Sequence, residues 1–221
     1  ALKSHGGIPY SQLNTRNPEA VTKGMPNLLH LLDVIKQFNL PVVVAINRFP
    51  SDTNEEIEIV KREVKRSGVN GIEESRGFTE GGDGCIELAK AVMEATDHTP
   101  KIAYLYPEDA STEDKVLALA QNVYNADNVV WAPKARRSLN KYKELGWGNL
   151  PICMAKTNLS ISHNPNLKGK PSGYNFQIAD IRASLGAGFI YPLAGNMVTM
   201  PGLPSKPRAL DVDDESNILG L

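Results

Sequence analysis

The stretch Pro41-Val42-Val43-Val44-Ala45-Ile46-Asn47-Arg48-Phe49-Pro50-Ser51-Asp52-Thr53 decides the fold. Its first part is a continuous β-branched run with no polar alternation, the pattern of a central parallel strand covered on both faces. The run breaks at Asn47. Thr53 with Glu56 then forms a capping box for a helix whose core face is Ile57, Val60 and Val64 and which Gly68 terminates. Upstream, Asn17-Pro18-Glu19 reads as a helix start, with an N-cap, a proline at the first helical position and an acid in the first turn. Pro26 is expected to interrupt or restart that helix. After it, Leu28, Leu31, Leu32, Ile35 and Phe38 follow the spacing of one buried stripe. Helix, strand, loop, helix is one unit of an α/β sheet, and such sheets bind ligands beyond the carboxyl ends of their strands. The loop 47–52 is therefore the first place to look for function.

Working outward, a second loop, Gly77-Phe78-Thr79-Glu80-Gly81-Gly82-Asp83-Gly84, precedes a helix with Ile86, Leu88, Ala89, Val92 and Met93 inside. Its glycines would let a ligand approach the backbone, and its place at a helix N-terminus suits an anion or a polar ligand edge. Around Thr99-Pro100 the texture changes. Ser111 with Asp114 starts a helix carrying Val116, Leu119, Ala120 and Val123, and Pro133 starts another carrying Leu139, Tyr142 and Leu145, closed by Gly146. Short strands are then expected at 150–155, 174–178 and 188–193, and a loop-like tail from Pro201 ends with Asp211, Asp213, Asp214 and Glu215. The expected class is α/β: a Rossmann-like parallel-sheet portion over 1–100, followed by a smaller α+β domain over 101–221.

Composition bounds the function classes. With 24 Lys+Arg against 25 Asp+Glu, 41% hydrophobic and 22% charged residues, the chain has enough apolar side chains for a core and too many for a disordered segment. A net charge of -1 argues against a general polyanion binder. No apolar run approaches the roughly 20 residues that span a bilayer, and the first residues lack the order of a secretory signal, so a cytosolic or organelle-matrix protein is expected. The start at Ala1, without an initiator Met, points to a processed, split or excised piece of something longer. Cys85 and Cys153 are expected to fill small core sites rather than to pair, and no Cys/His spacing points to zinc or another metal.

Several motifs carry two readings. Phosphate chemistry would need Gly-x-x-x-x-Gly-Lys-Ser/Thr, which is absent; Gly169-Lys170-Pro171 lacks the upstream glycine and the hydroxyl residue. Gly186-Ala187-Gly188 and Gly81, Gly82 and Gly84 read as turns. Asn47 followed by Asp52 at a strand end fits recognition of a base by an NTPase, and equally an Asx-type turn that caps the next helix. Phe49-Pro50 makes a rigid apolar wall suited to a planar ring, and Phe78 can supply the opposite wall. His5, His30, His98 and His163 are scattered, with His163 read as a surface histidine in a polar turn. Lys134, Arg136, Arg137, Lys141 and Lys143 read as a solvated helix face, and Lys156-Thr157 as a polar-site candidate.

The loop stretch just quoted has company: Gly148-Asn149-Leu150-Pro151-Ile152-Cys153-Met154-Ala155-Lys156-Thr157, then Ile181-Arg182-Ala183-Ser184-Leu185-Gly186-Ala187-Gly188-Phe189-Ile190-Tyr191-Pro192-Leu193, then Met200-Pro201-Gly202-Leu203-Pro204. Together, in this order, they resemble formate-tetrahydrofolate ligase, along essentially the whole chain but only over the carboxyl-terminal part of that enzyme. The resemblance implies condensation of formate, ATP and tetrahydrofolate into 10-formyltetrahydrofolate through formyl phosphate, with magnesium and a monovalent cation. It implies a folate ring held between Phe49, followed by Pro50, and the position of Phe78. That second position is usually Trp, so Phe78 departs from the pattern: it keeps a stacking face with less area and no indole N–H. Pro171 and its neighbours match a segment that lies near the nucleotide in the family, and Asn47 remains a nucleotide-binding candidate from its place at the strand end. The family's P-loop belongs to an amino-terminal portion outside this sequence, so the expected partners are tetrahydrofolate and that portion, in a homo-oligomer, with neither nucleic acid nor membrane. The alternative expectation is a non-catalytic binding or assembly module derived from the family.

Overall fold

The chain opens with one helical turn, α1 (Leu2–His5), laid across a long helix, α2 (Pro18–Gln37). The crossing depends on glycine: a Cβ on Gly24 would sit 2.1 Å from the Leu2 carbonyl oxygen. As its residue type predicts, Asn17 caps α2 by accepting from the Ala20 amide at 2.9 Å. The computed structural model describes residues 1–195 and Met197. The Met200–Pro204 motif and the acidic residues from Asp211 to Glu215 therefore lie outside the described residues.

Contrary to expectation, α2 runs through Pro26 without a break. Proline removes one helical N–H, and packing offsets that cost because Val21 and Met25 before it and Leu32 after it anchor both halves in one apolar cluster. The buried stripe also differs. Leu31 and Ile35 are exposed, whereas Asn27, His30, Leu32 and Val34 are buried. The reason is that α2 faces two ways: Leu32 packs toward the first sheet, while His30 Nε2 lies 2.8 Å from the Val123 carbonyl oxygen.

Next come β1 (Val43–Asn47), α3 (Asn54–Arg66), β2 (Gly71–Ser75), the short α4 (Gly77–Glu80) and α5 (Ile86–Ala95). β1 and β2 pair in parallel, from Val43 opposite Gly71 to Asn47 opposite Ser75. Val42, Val60, Val64 and Ile72 join α2 residues in the first core. Thr53 caps α3 in a full capping box with Glu56, and Gly68 follows the helix at φ +71°. Two expectations fail here. Among the described residues β1 is half of a two-stranded sheet rather than a central strand, and Ala45 and Asn47 are exposed. Likewise α5 has no buried residue, and Ile86, Val92 and Met93 face outward. Both departures share a cause: the described residues lay no further strand beside β1 and no layer outside α5. The 77–84 segment is more regular than a loop, folding into α4 and a 3-10 turn at Asp83–Cys85.

The second sheet is built from α6 (Thr112–Asn122), β3 (Asn128–Trp131), α7 (Pro133–Glu144), β4 (Asn175–Ser184) and β5 (Phe189–Ala194). Its order is β3-β4-β5, with β3 parallel and β5 antiparallel to β4. The strand expected over 150–155 is reduced to bridges at Ile152 and Ala155. Pro151 and Pro192 have no N–H to give, so a continuous ladder cannot close there. Phe176, Ile178, Val116 and Ala120 are fully buried in its core. The fold is mixed α/β, with parallel strands flanked by helices.

Residue 169 ties the two sheets' surroundings together. The Gly169 carbonyl accepts from Asn27 Nδ2 at 3.2 Å, and its N–H donates to His5 Nδ1 at 3.2 Å. Cys153 is exposed rather than a core residue, and Cys85 is half-buried 3.5 Å from Ser75 Oγ. No helix among the described residues is long and apolar enough to cross a membrane.

Candidate functional site

Parallel pairing in register means that β1 and β2 end side by side, at Asn47 and Ser75. Both chains leave the sheet at its carboxyl end, where open α/β sheets place ligands. The Arg48 N–H donates to the Ser75 carbonyl at 3.0 Å, which holds the two exits together. Beyond it the chain turns sharply. The Phe49 N–H donates to Asp52 Oδ2 at 2.9 Å, and the Asp52 N–H donates to the Phe49 carbonyl at 3.0 Å. The Asp52 carboxylate thus closes the turn backwards, onto the N–H three residues before it, and the cap of the next helix is Thr53 rather than an Asx-type turn. Pro50 stiffens the same turn by fixing φ.

Phe49 projects from this turn with 55% of its surface exposed, and Phe78, on α4, is 86% exposed. Burying an aromatic ring is worth more than almost any other residue's burial, so two rings left in water at one end of a sheet are costly unless something covers them. Asn47 is exposed beside them and makes no side-chain hydrogen bond among the described residues.

Two of the glycines around Phe78 are required by the chain itself. A Cβ on Gly84 would lie 2.8 Å from the Arg76 carbonyl, because the Arg76 N–H donates to the Gly84 carbonyl at 3.0 Å. Gly81 takes φ +60°. An anion at the start of α5 is also disfavoured. A pocket of about 260 Å³ there is lined by Glu73, Glu74, Glu80, Asp83 and Glu87 against only Lys61 and Arg76.

Under the two loops lies a charged hub absent from the reading of the sequence. Glu74 Oε2 accepts from Arg48 Nη1 at 2.6 Å and Arg76 Nη2 at 3.1 Å, while Oε1 accepts from Lys61 Nζ at 2.7 Å. The Lys61 hydrogen bond, with those of Arg48 and Arg76, holds the Glu74 carboxyl down at about 2 against the opposing effect of burial. Glu74 also holds Lys61 and Arg76 in their charged forms, raising both pKa values. No motif marks this hub. β2 is Gly-Ile-Glu-Glu-Ser, with a single apolar residue, so neither the strand nor its glutamate stands out.

The other candidates lie elsewhere. The Pro171 carbonyl accepts from Asn125 Nδ2 at 2.7 Å, and no hydrogen bond joins Pro171 to the Asn47 loop. Lys156 Nζ donates to the Thr157 and Ser160 carbonyls at 2.7 and 2.5 Å and lies 5.4 Å from the Tyr124 ring centroid, so its polar needs are met internally. Burial lowers its pKa and pushes the Tyr124 hydroxyl up to about 12. His163, expected on the surface, packs edge-on against Phe176 at 5.7 Å, and burial lowers its pKa. The short residues around it hide this contact, since Phe176 comes from a distant strand. On α7, Lys143 and Arg136 pair with Glu113, and Lys134 with Asp180, so much of that basic face is neutralised.

The site is thus a parallel α/β unit with two solvated aromatic rings beyond adjacent strand ends. Comparison with known proteins specifies it further. The family model of formate-tetrahydrofolate ligase matches residues 1–221. The chain is 47% identical to formate-tetrahydrofolate ligase of Desulforamulus reducens, over all of this chain and 41% of that protein. It is 42% identical to mitochondrial C-1-tetrahydrofolate synthase of Saccharomyces cerevisiae, over all of this chain and 24% of that protein. Against the cytoplasmic C-1-tetrahydrofolate synthase of Mus musculus the identity is 43%, over 96% of this chain and 24% of the relative. The chain belongs to the formate-tetrahydrofolate ligase family, and it spans less than half the length of these relatives.

Proposed function

We propose that this chain is the folate-binding side of an ATP-dependent formate-tetrahydrofolate ligase, which makes 10-formyltetrahydrofolate by way of formyl phosphate. The observation that carries the reading is the pair of exposed rings, Phe49 and Phe78, at the in-register ends of β1 and β2. The pterin ring fits between them, with Pro50 stiffening one wall. Holding the folate amine beside an activated formyl group converts an encounter into a positioned reaction, the service a binding half can supply.

Activation of formate belongs to the rest of the ligase. Among the described residues no group of three His, Cys, Asp or Glu side chains is arranged to hold a metal ion, and the sequence has no phosphate-cradling glycine loop. These residues do not fit magnesium or the ATP phosphates. Asn47 and the Pro171 ring are assigned to the nucleotide side, and the monovalent cation to the assembled enzyme. The open edge of β1 and the outward apolar residues of α5 support docking of an amino-terminal portion. A boundary near residue 100 is supported by separate cores for the two sheets. The assembled enzyme is a homo-oligomer of the cytoplasm or the mitochondrial matrix in this reading.

The test is reconstitution. With ATP, formate and tetrahydrofolate, the chain alone should form no 10-formyltetrahydrofolate, and adding an amino-terminal ligase portion should start turnover. Turnover by the chain alone would contradict the division of labour. Tetrahydrofolate binding with no turnover in any combination would favour the non-catalytic module.

A further inference from the structure

We infer that Glu74 is a positioning residue that sets the spacing of the two aromatic walls, a role that rests on the folate-site reading above. The carboxylate sits at the penultimate position of β2, opposite Ile46 of β1. From there it reaches Arg48, the residue before Phe49, and Arg76, two residues before Phe78. Its third partner, Lys61, belongs to α3, the helix that starts immediately after the Phe49 turn. One anion therefore joins both loops and the helix between them.

Each loop is also fastened locally to these partners. Arg48 Nη2 donates to Asn54 Oδ1 at 2.6 Å, which ties the guanidinium to the first turn of α3. The Thr79 and Glu80 N–H groups donate to the Arg76 carbonyl, so the residue that Glu74 grips also anchors the helical turn bearing Phe78. Glu74 is 15% exposed at its side chain, Arg48 and Lys61 are 24% exposed and Arg76 43%, so solvent screens the Arg48 and Lys61 contacts less than an open surface pair. Removing its charge leaves Arg48 with no carboxylate partner, Arg76 with only Glu80 at 3.6 Å and Lys61 with only Glu58 at 3.7 Å, so no anion joins the two loops. The loops then separate, and a ring that needs both walls loses its sandwich. A glutamine of the same shape removes the charge alone.

The experiment is calorimetric titration of tetrahydrofolate into the full chain as wild type, Glu74→Gln, Glu74→Asp, Phe49→Ala and Glu74→Gln/Phe49→Ala, with thermal melting of each. Glu74→Gln should weaken binding by about tenfold, and Glu74→Asp, which keeps the charge, should recover most of that loss. In the Phe49→Ala background the Glu74→Gln effect should shrink to less than about a third, because the group it positions is gone. A merely structural role would lower the melting temperature without this coupling. Unchanged affinity in Glu74→Gln beside weakened Phe49→Ala would overturn the role of Glu74 and keep the folate site. An equal Glu74→Gln loss in both backgrounds would also overturn it. Unchanged affinity in Phe49→Ala would remove the folate-site reading and this role with it.

Discussion

Glu56 should make the first half of the molecule acid-sensitive by a calculable amount. Its side chain is 4% exposed and is the only carboxylate facing Lys3, at 3.0 Å, among the described residues. Burial opposes its ionisation. The N–H groups of Asn17 at 2.7 Å and Thr53 at 3.0 Å, the Lys3 ammonium and the Thr53 hydroxyl outweigh that opposition and take its carboxyl from 4.5 down to about 2. A lowering of that size corresponds to about 3 kcal/mol of stability. Because the folded pKa is depressed, this contribution is complete above the unfolded value of 4.5 and disappears as pH falls through about 2. Urea unfolding of wild type and Glu56→Gln from pH 7 to pH 2 measures it as the difference between the two curves. That difference should be about 3 kcal/mol at neutral pH and shrink steeply below pH 4. Glu74 titrates over a similar range but cancels in the comparison. A difference that stays constant with pH would refute the assignment of that stability to the ionised Glu56.

Two other predictions address separate regions. Lys115 is 1% exposed and donates to the Glu108 and Asn149 carbonyls at 2.6 and 2.7 Å, so Lys115→Met should cost about 2–4 kcal/mol in urea unfolding by stranding both acceptors. Phe78→Trp places a larger ring at an open position and should tighten tetrahydrofolate binding several-fold with little change in melting temperature.

Local chemistry made the helices and the Phe49 loop readable. Asn17, Thr53 with Glu56, and Ser111 with Asp114 each cap the helix their spacing predicts, because a cap needs only its own next turn. The strand β2 was hidden, since four of the five residues in Gly71–Ser75 are not apolar and pairing with β1 decides their conformation; β3, only Asn128–Trp131, is too short to show a period. Pro26 and the exposure of Leu31 likewise follow from tertiary packing of α2, which periodicity cannot register. At the site, Phe49 and Phe78 were legible as loop aromatics. Glu74 was not, because its meaning lies in Arg48, Lys61 and Arg76 converging from three elements. Pro171, matched to the nucleotide side by resemblance, and Asn47, a nucleotide candidate by its place at the strand end, share no hydrogen bond.

The central claim is that this chain holds a pterin between Phe49 and Phe78, and titration of tetrahydrofolate into wild type and Phe49→Ala tests it most directly. The account predicts saturable binding to wild type and a loss of about 1–3 kcal/mol in Phe49→Ala, the usual worth of stacking a ring on an aromatic side chain. Equal affinity of the two proteins would contradict it.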